Sequence, residues 1–273
     1  MRIGLIMVRH PPSRTSPIVP EMTRLLRERG ATVDVILPDQ GVADLATVRV
    51  EHDLYVLKSG TETALSVAGA LDALGATIVN PYPVTALCRD KVMATRVLQA
   101  AGVPVPATYV TAEVRALAPL LQRGPLVVKP HRGSQGRGVH VVRSAGDLER
   151  IAGEVGRPVF AQAYHQPDGL DRKLYAIAGE VFGVQRVWPA RSYDDKLGRP
   201  FDVDAELRDI VRRCGAQIGV DLFGLDVVYS DGRPYVVDFS SFPGFKGVPG
   251  AAALLADYVW AAGRASVRVE PVA

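Results

Sequence analysis

Apolar positions in the first part of the chain fall into two recurring patterns. Short continuous runs, RIGLIMV at 2–8, TVDVILP at 32–38, DLYVL at 53–57 and ATIVN at 76–80, have the length and β-branched content of buried strands. Between them, IVPEMTRLLRERG and TETALSVAGALDALG carry helical spacing and stop at Gly30 and Gly75. Strand and helix alternate, which predicts a parallel α/β lobe over residues 1–80. RDKVMATRVLQAAG then predicts a helix stopped at Gly102, and Pro104 and Pro106 mark a way into new structure, so 81–106 reads as a linker helix.

The pattern changes at Ala107. Residues 107–164 predict a small α+β lobe: a strand, a helix over 112–122, strands at 125–130 and 139–142 around a glycine loop, a helix over 146–154 and a strand at 158–164. In the remainder, 165–273, RKLYAIAGEVFGVQRVW predicts a hairpin turning at Gly179, DAELRDIVRRCGAQIG an amphipathic helix, and FGLDVVYSDGRPYVVDFS a hairpin turning at Asp231-Gly232. The C-terminal lobe is therefore expected to be mainly antiparallel.

A chain of 273 residues exceeds one compact core, and 48% hydrophobic with 22% charged residues is a globular balance. Net charge is only +3 with no basic block, so nucleic acid and membrane surface are not expected partners and small-molecule chemistry is. Cys88 and Cys214 are too few for a disulfide framework or zinc cluster and suggest a reducing cytoplasm. The start MRIGLIMV lacks a signal peptide's apolar stretch, and no run approaches the roughly 18 apolar residues of a span.

The stretch KPHRGSQGRGV concentrates the chemistry. Its pattern, Gly133-x-x-Gly136-x-Gly138, joins two strands and fits neither a dinucleotide fingerprint nor a Walker A loop. Such glycines let backbone N–H groups approach a polyphosphate closely, with Ser134 and the arginines as further donors; a plain flexible hairpin is the alternative. Lys129 ends the apolar strand PLVVK, where an ammonium is costly unless it reaches solvent or an anion. Asp226 and Asp238 lie on adjacent hairpin strands, where cross-strand pairing brings their carboxylates together; a cation between them, Mg2+ carrying a nucleotide, would relieve the repulsion.

These residues carry a resemblance. Asp90-Lys91, VVKPHRGSQGRGV, FAQAYHQPDGLDRKLYAIAGEVFGVQR, GLDVV and VVDFSSFPGFKGV follow the order and spacing of ATP-grasp proteins, closest to the ribosomal-protein-S6 glutamate-ligase (RimK-like) branch, over most of the chain. The resemblance implies an ATP-grasp fold of mixed α/β and α+β class, with ATP held between the central lid lobe and the C-terminal lobe. It implies Lys91, Lys129, Gly133, Ser134, Gln135, Gly136, Arg137 and Gly138 on the nucleotide, Gln162 and Ala163 at the adenine hinge, and Asp171 beside the ribose. Asp226, Asp238 and Ser240 match ligands of Mg2+, with Mn2+ an alternative, while Arg186 and Lys129 match residues that serve phosphoryl transfer. Three departures stand out: Asp238 and Ser240 replace the usual glutamate and asparagine, Gln162 replaces the hinge acid, and no Arg-x-Asn substrate loop is recognisable in WPARSYDDKLGRPFD.

The activity implied is ATP-dependent joining of a carboxylate to an amine through an acyl phosphate, with small-molecule or peptide substrates. A rival is a kinase acting on a hydroxyl, because DFSSFPGFKGV and DLYVLK also resemble segments of inositol-polyphosphate kinases, where Lys58 would bind substrate phosphates. A non-catalytic nucleotide binder is a third reading. Arg9, Lys58, Arg191, Lys196 and Arg199 are either an acceptor pocket or solvated charge, and self-association is left open.

Overall fold

A computed structural model describes residues 1–9, 16–133, 136–187, 195 and 197–267. Strands β1 (Arg2–Ile6), β2 (Thr32–Ile36), β3 (Leu54–Leu57) and β4 (Ile78–Val79) form a parallel sheet in the order β2-β1-β3-β4. Helices α1 (Ile18–Glu28) and α2 (Glu62–Ala73) supply the crossovers, the latter capped by the Thr61 hydroxyl accepting from the Ala64 amide. Sequence and structure agree closely here because strands covered on both faces read as unbroken apolar runs.

The linker differs from expectation. Where one helix is predicted there are two, α3 (Tyr82–Arg89) and α4 (Lys91–Ala100). Asp90 divides them: its carboxylate accepts from the Val92 and Met93 amides and caps α4, which puts Lys91 at the helix's first position.

Strands β5 (Thr108–Thr111), β6 (Leu126–Pro130), β7 (His140–Val142) and β8 (Val159–Ala163) form an antiparallel sheet, order β5-β8-β6-β7. The helix expected over 112–122 is a 3-10 helix, Val114–Arg123, with Pro119 inside it. Proline offers no N–H to an α-helical ladder, so tighter turns result. Helix α5 (Ala145–Ile151) starts in a capping box of Ser144 and Asp147. One face of this sheet, with Leu126, Val128, Val159 and Ala161, packs on α5 and the 3-10 helix. By strand alternation Val127, Lys129, Phe160 and Gln162 share the other face.

The third sheet has the order β11-β10-β9-β12-β13, built from β9 (Leu170–Ile177), β10 (Glu180–Val187), β11 (Arg199–Phe201), β12 (Leu222–Ser230) and β13 (Arg233–Ser240). Its two hairpins turn at Ala178-Gly179 (φ 53° and 85°) and Asp231-Gly232 (φ 51° and 74°), the paired left-handed residues of tight hairpins. Helix α6 (Ala205–Ile218), capped by Asp204, covers the face that carries Leu174, Ala176, Phe223, Leu225 and Val227. The opposite face packs Tyr175, Ile177, Val184 and Leu222 into one core with Ile3, Leu5, Leu54 and Val56 of the parallel sheet.

Helix α7 (Ala251–Val267), which lay outside the expectations, packs back onto the N-terminal lobe. Asp257 pairs with Arg29 at 2.5 Å and the Ser266 hydroxyl donates to the Asp53 carbonyl at 3.0 Å. Among the described residues no helix is long and apolar enough to cross a membrane.

Candidate functional site

Side chains from three elements meet where the lid sheet, α4 and the C-terminal sheet come together. Lys91 donates from Nζ to Asp238 Oδ1 at 3.0 Å and to the Gly133 carbonyl at 3.2 Å, so the first residue of α4 ties the glycine loop to β13. Lys129 crosses from β6 to donate to the Val237 carbonyl at 2.9 Å, its Nζ lying 5.4 Å from the Phe160 ring centroid. It is 8% exposed. Burial, opposed by Asp238, pushes its ammonium down to about 8, with Lys91 pushing the same way as burial.

Register explains the carboxylates. Asp226 and Asp238 sit opposite each other across β12 and β13, and Asp226 is also opposite Lys173 of β9. Lys173 ion-pairs with Asp226, as Lys91 does with Asp238. Further along, Arg186 of β10 is opposite Asp171 of β9 and ion-paired with it. Asp171, Lys173 and Tyr175 point to one face at every second residue. The Tyr175 phenol is raised by burial and then by Asp226 and Asp171, against a lowering by Arg186, which places it among these groups. Lys173 and Tyr175 lay outside the expectations, although their two-residue spacing from Asp171 was legible.

The other expected positions divide. The Gly133 carbonyl takes the Lys91 bond, and Gly136 and Gly138 are left-handed at φ 69° and 68°. A Cβ on Gly138 would sit 3.0 Å from the Pro130 ring, so the loop folds closely over the end of β6. Arg137 is exposed on that turn. Ser134, Gln135, Arg191 and Lys196 lie outside the described residues. Gln162 is buried and its Nε2 donates to the Thr108 hydroxyl at 3.2 Å, while the Ala163 amide is bonded to the Ala107 carbonyl. Ser240 is exposed two residues beyond Asp238 on the same face. Lys58 reaches the loop after β13. Arg9 is exposed after β1. Arg199 is opposite Gln185, which puts it on the face away from Arg186.

Among the described residues no cluster of three or more His, Cys, Asp or Glu could hold a metal ion. Two facing carboxylates, about a third exposed at 36% and 33%, nevertheless suit Mg2+. That ion keeps several waters and takes one or two carboxylates together with substrate phosphates. The residues fit it, and the donor set of oxygens alone does not suit zinc.

The family comparison covers this part of the chain. The RimK-like ATP-grasp domain matches residues 88–256, from the end of α3 into α7. The chain belongs to the RimK-like ATP-grasp family. Among curated relatives, it is similar to a probable alpha-L-glutamate ligase of Xanthomonas euvesicatoria pv. vesicatoria, 26% identical over 205 residues and 70% of each chain. A glutamate–LysW ligase, ArgX, of Sulfurisphaera tokodaii is 25% identical over 243 residues, 83% of this chain and 86% of that one. A crystal structure of a RimK domain ATP-grasp protein from Sphaerobacter thermophilus superposes with a TM-score of 0.76 at 20% identity, covering 95% of this chain and all of that one. The RimK-like match spans Lys91, Lys129, Arg186, Asp226 and Asp238, the side chains that the fold gathers.

Proposed function

We propose that the chain is an ATP-dependent carboxylate–amine ligase that forms an amide bond through an acyl phosphate and releases ADP and phosphate. The observation that supports this best is the convergence of Lys91 and Lys129 on the β13 segment of Val237 and Asp238, inside a RimK-like match. The curated relatives are named as ligases.

MgATP held between the lid and C-terminal sheets would supply the phosphoryl group. Asp226, Asp238 and Ser240 are the residues that would hold Mg2+ or Mn2+. Lys91 and Lys129 would neutralise phosphate oxygens, aided by the 133–138 loop, and Gln162, Ala163 and Asp171 line the adenine and ribose side. Arg186, steered by Asp171, offers positive charge where it builds up on the transferred group. No protein nucleophile is required. Burial, with Asp238, pushes the Cys88 thiol up to about 12 and burial pushes Cys214 to about 12, so neither is a thiolate at neutral pH. On this reading 107–164 is a lid that opens for exchange against the remaining lobes, and the substrates are small or peptidic acids and amines in the cytoplasm.

The test is ADP release by purified protein with MgATP and a panel of acids and amines. The reading expects ADP and free phosphate in equal amounts, and only when both an acid and an amine are present. A phosphorylated product without free phosphate would overturn it in favour of hydroxyl phosphorylation.

A further inference from the structure

The acidic hairpin is built with its counter-charges in place. Asp226 has a strand neighbour on each side: Asp238 across β12 and β13, and Lys173 across β12 and β9. Directly opposed residues project to the same face of a sheet, so main-chain register, and not a chance meeting of long side chains, sets an ammonium beside Asp226. Register also makes the pair of carboxylates. Counted from the turn, Ser230 to Val227 face Arg233 to Val236, and an unbroken ladder would oppose Asp226 to Val237. A register shift between Asp226 and Val227 leaves Val237 without a β12 partner, its carbonyl accepting from Lys129, and brings Asp238 opposite Asp226. Bulges of this kind re-aim side chains beside active sites.

Along this face the chain supplies its own counter-ions. Lys173 pairs with Asp226 and Lys91 with Asp238. In each pair the lysine is the more sheltered partner, 19% exposed against 36% and 12% against 33%, so water screens the ammoniums less than the carboxylates. Lys129, bonded to the Val237 carbonyl, is a third ammonium that senses Asp238 and, more weakly, Asp226. Positive charge therefore exceeds negative charge among these five side chains. A bare divalent cation meets ammoniums that already hold its ligands, and adds to the excess. One carried by a polyphosphate brings acceptors for those same ammoniums, and Mg2+ binds through one or two carboxylates together with phosphates.

We propose that Lys173 and Lys91 make metal binding conditional on nucleotide, holding Asp226 and Asp238 against a free divalent cation and yielding them to one that arrives with phosphate. This rests on the reading that the two carboxylates hold the metal. The probe is Mn2+ alone, followed by the paramagnetic resonance signal of the free ion in the presence of the full chain. Wild type should leave that signal almost unchanged. Lys173→Met keeps the stem and removes the charge, and should bind Mn2+ roughly tenfold tighter or more, a factor that repulsion between a dication and a nearby ammonium reaches even at the dielectric constant of water. Lys173→Arg keeps the charge and should behave as wild type. Adding Asp226→Asn to Lys173→Met should cancel the gain, which a general loosening of the fold would not do. Should Lys173→Met fail to fold, Lys91→Met decides, with the same gain cancelled by Asp238→Asn. Tight Mn2+ binding by the wild type, no gain in the methionine variants, an equal gain in Lys173→Arg, or a gain that survives loss of the aspartate overturns the proposal. Calorimetric titration of the wild type with ADP, with and without Mg2+, tests the underlying reading separately. ADP binding that Mg2+ strengthens, beside methionine variants with no gain, removes the gate and leaves the nucleotide–metal site. ADP binding indifferent to Mg2+ removes both.

Discussion

Replacing Lys129 by methionine should make the nucleotide-free protein more stable while removing nucleotide binding. Lys129 is 8% exposed and its ammonium is held down at about 8, against 10.5 unperturbed. A shift of that size corresponds to roughly 3 kcal/mol of unfavourable burial at neutral pH. Methionine has a similar stem and no charge, but the Val237 carbonyl loses its donor and the Phe160 ring its cation, about 1 kcal/mol against. The balance is about 2 kcal/mol of added stability at pH 7, or about 4 °C in Tm for a chain of this size. The sign with pH follows from the depressed value. Below about 8 lysine is protonated in both folded and unfolded chains and the full cost is present. Between about 8 and 10.5 only the unfolded chain keeps its proton, so wild-type stability rises and the gap to the variant closes. Urea unfolding at pH 7 and pH 10, with MgATP titrations alongside, measures both halves. A variant that unfolds at lower urea at pH 7, or a gap that widens with pH, would refute a burial-dominated Lys129.

Asp238→Asn should lower MgATP-dependent ADP release by about a hundredfold or more, since a neutral amide at that position neither holds Mg2+ firmly nor pairs with Lys91; initial rates over a Mg2+ series check it. Arg186→Met should cut kcat by about 10²–10³ with MgATP affinity within about threefold, separating charge stabilisation during transfer from binding of the nucleotide. Gly198→Ala should cost about 3 kcal/mol or more and also lower kcat, because a left-handed L-residue is strained and its Cβ would stand 2.5 Å from the Arg186 Cγ and 2.7 Å from the Gln185 carbonyl oxygen; thermal melts and turnover together test this.

What the sequence made legible follows the local physics of each element. The two hairpins were readable because Gly179 and Asp231-Gly232 impose their turns whatever packs around them, and the parallel lobe because doubly buried strands leave unbroken apolar runs. The boundary at Asp90 was not, since a capping aspartate inside an apparently helical stretch looks like an ordinary surface residue until its carboxylate meets the Val92 and Met93 amides. Helix α7 escaped notice because AAALLADYVWAAGRASV is apolar on most sides, so little period separates a buried face from a wet one. Lys129, Asp226 and Asp238 were legible as chemistry from their cost in apolar surroundings, and Lys91 only through the family resemblance. Lys173 was not, because its significance lies in the partner that register gives it.

The Asn80 side chain carries a consequence for how the protein can be divided. Buried just after β4, it donates to the Leu222 carbonyl at 2.6 Å and the Ser241 carbonyl at 2.5 Å, bracing the first sheet against the start of β12 and the residue that follows β13. The RimK-like match, 88–256, is therefore not a mechanical unit by itself. Cut free, it would strand Ile177, Leu222 and Leu255 against water where Leu5, Leu54 and Met22 had been.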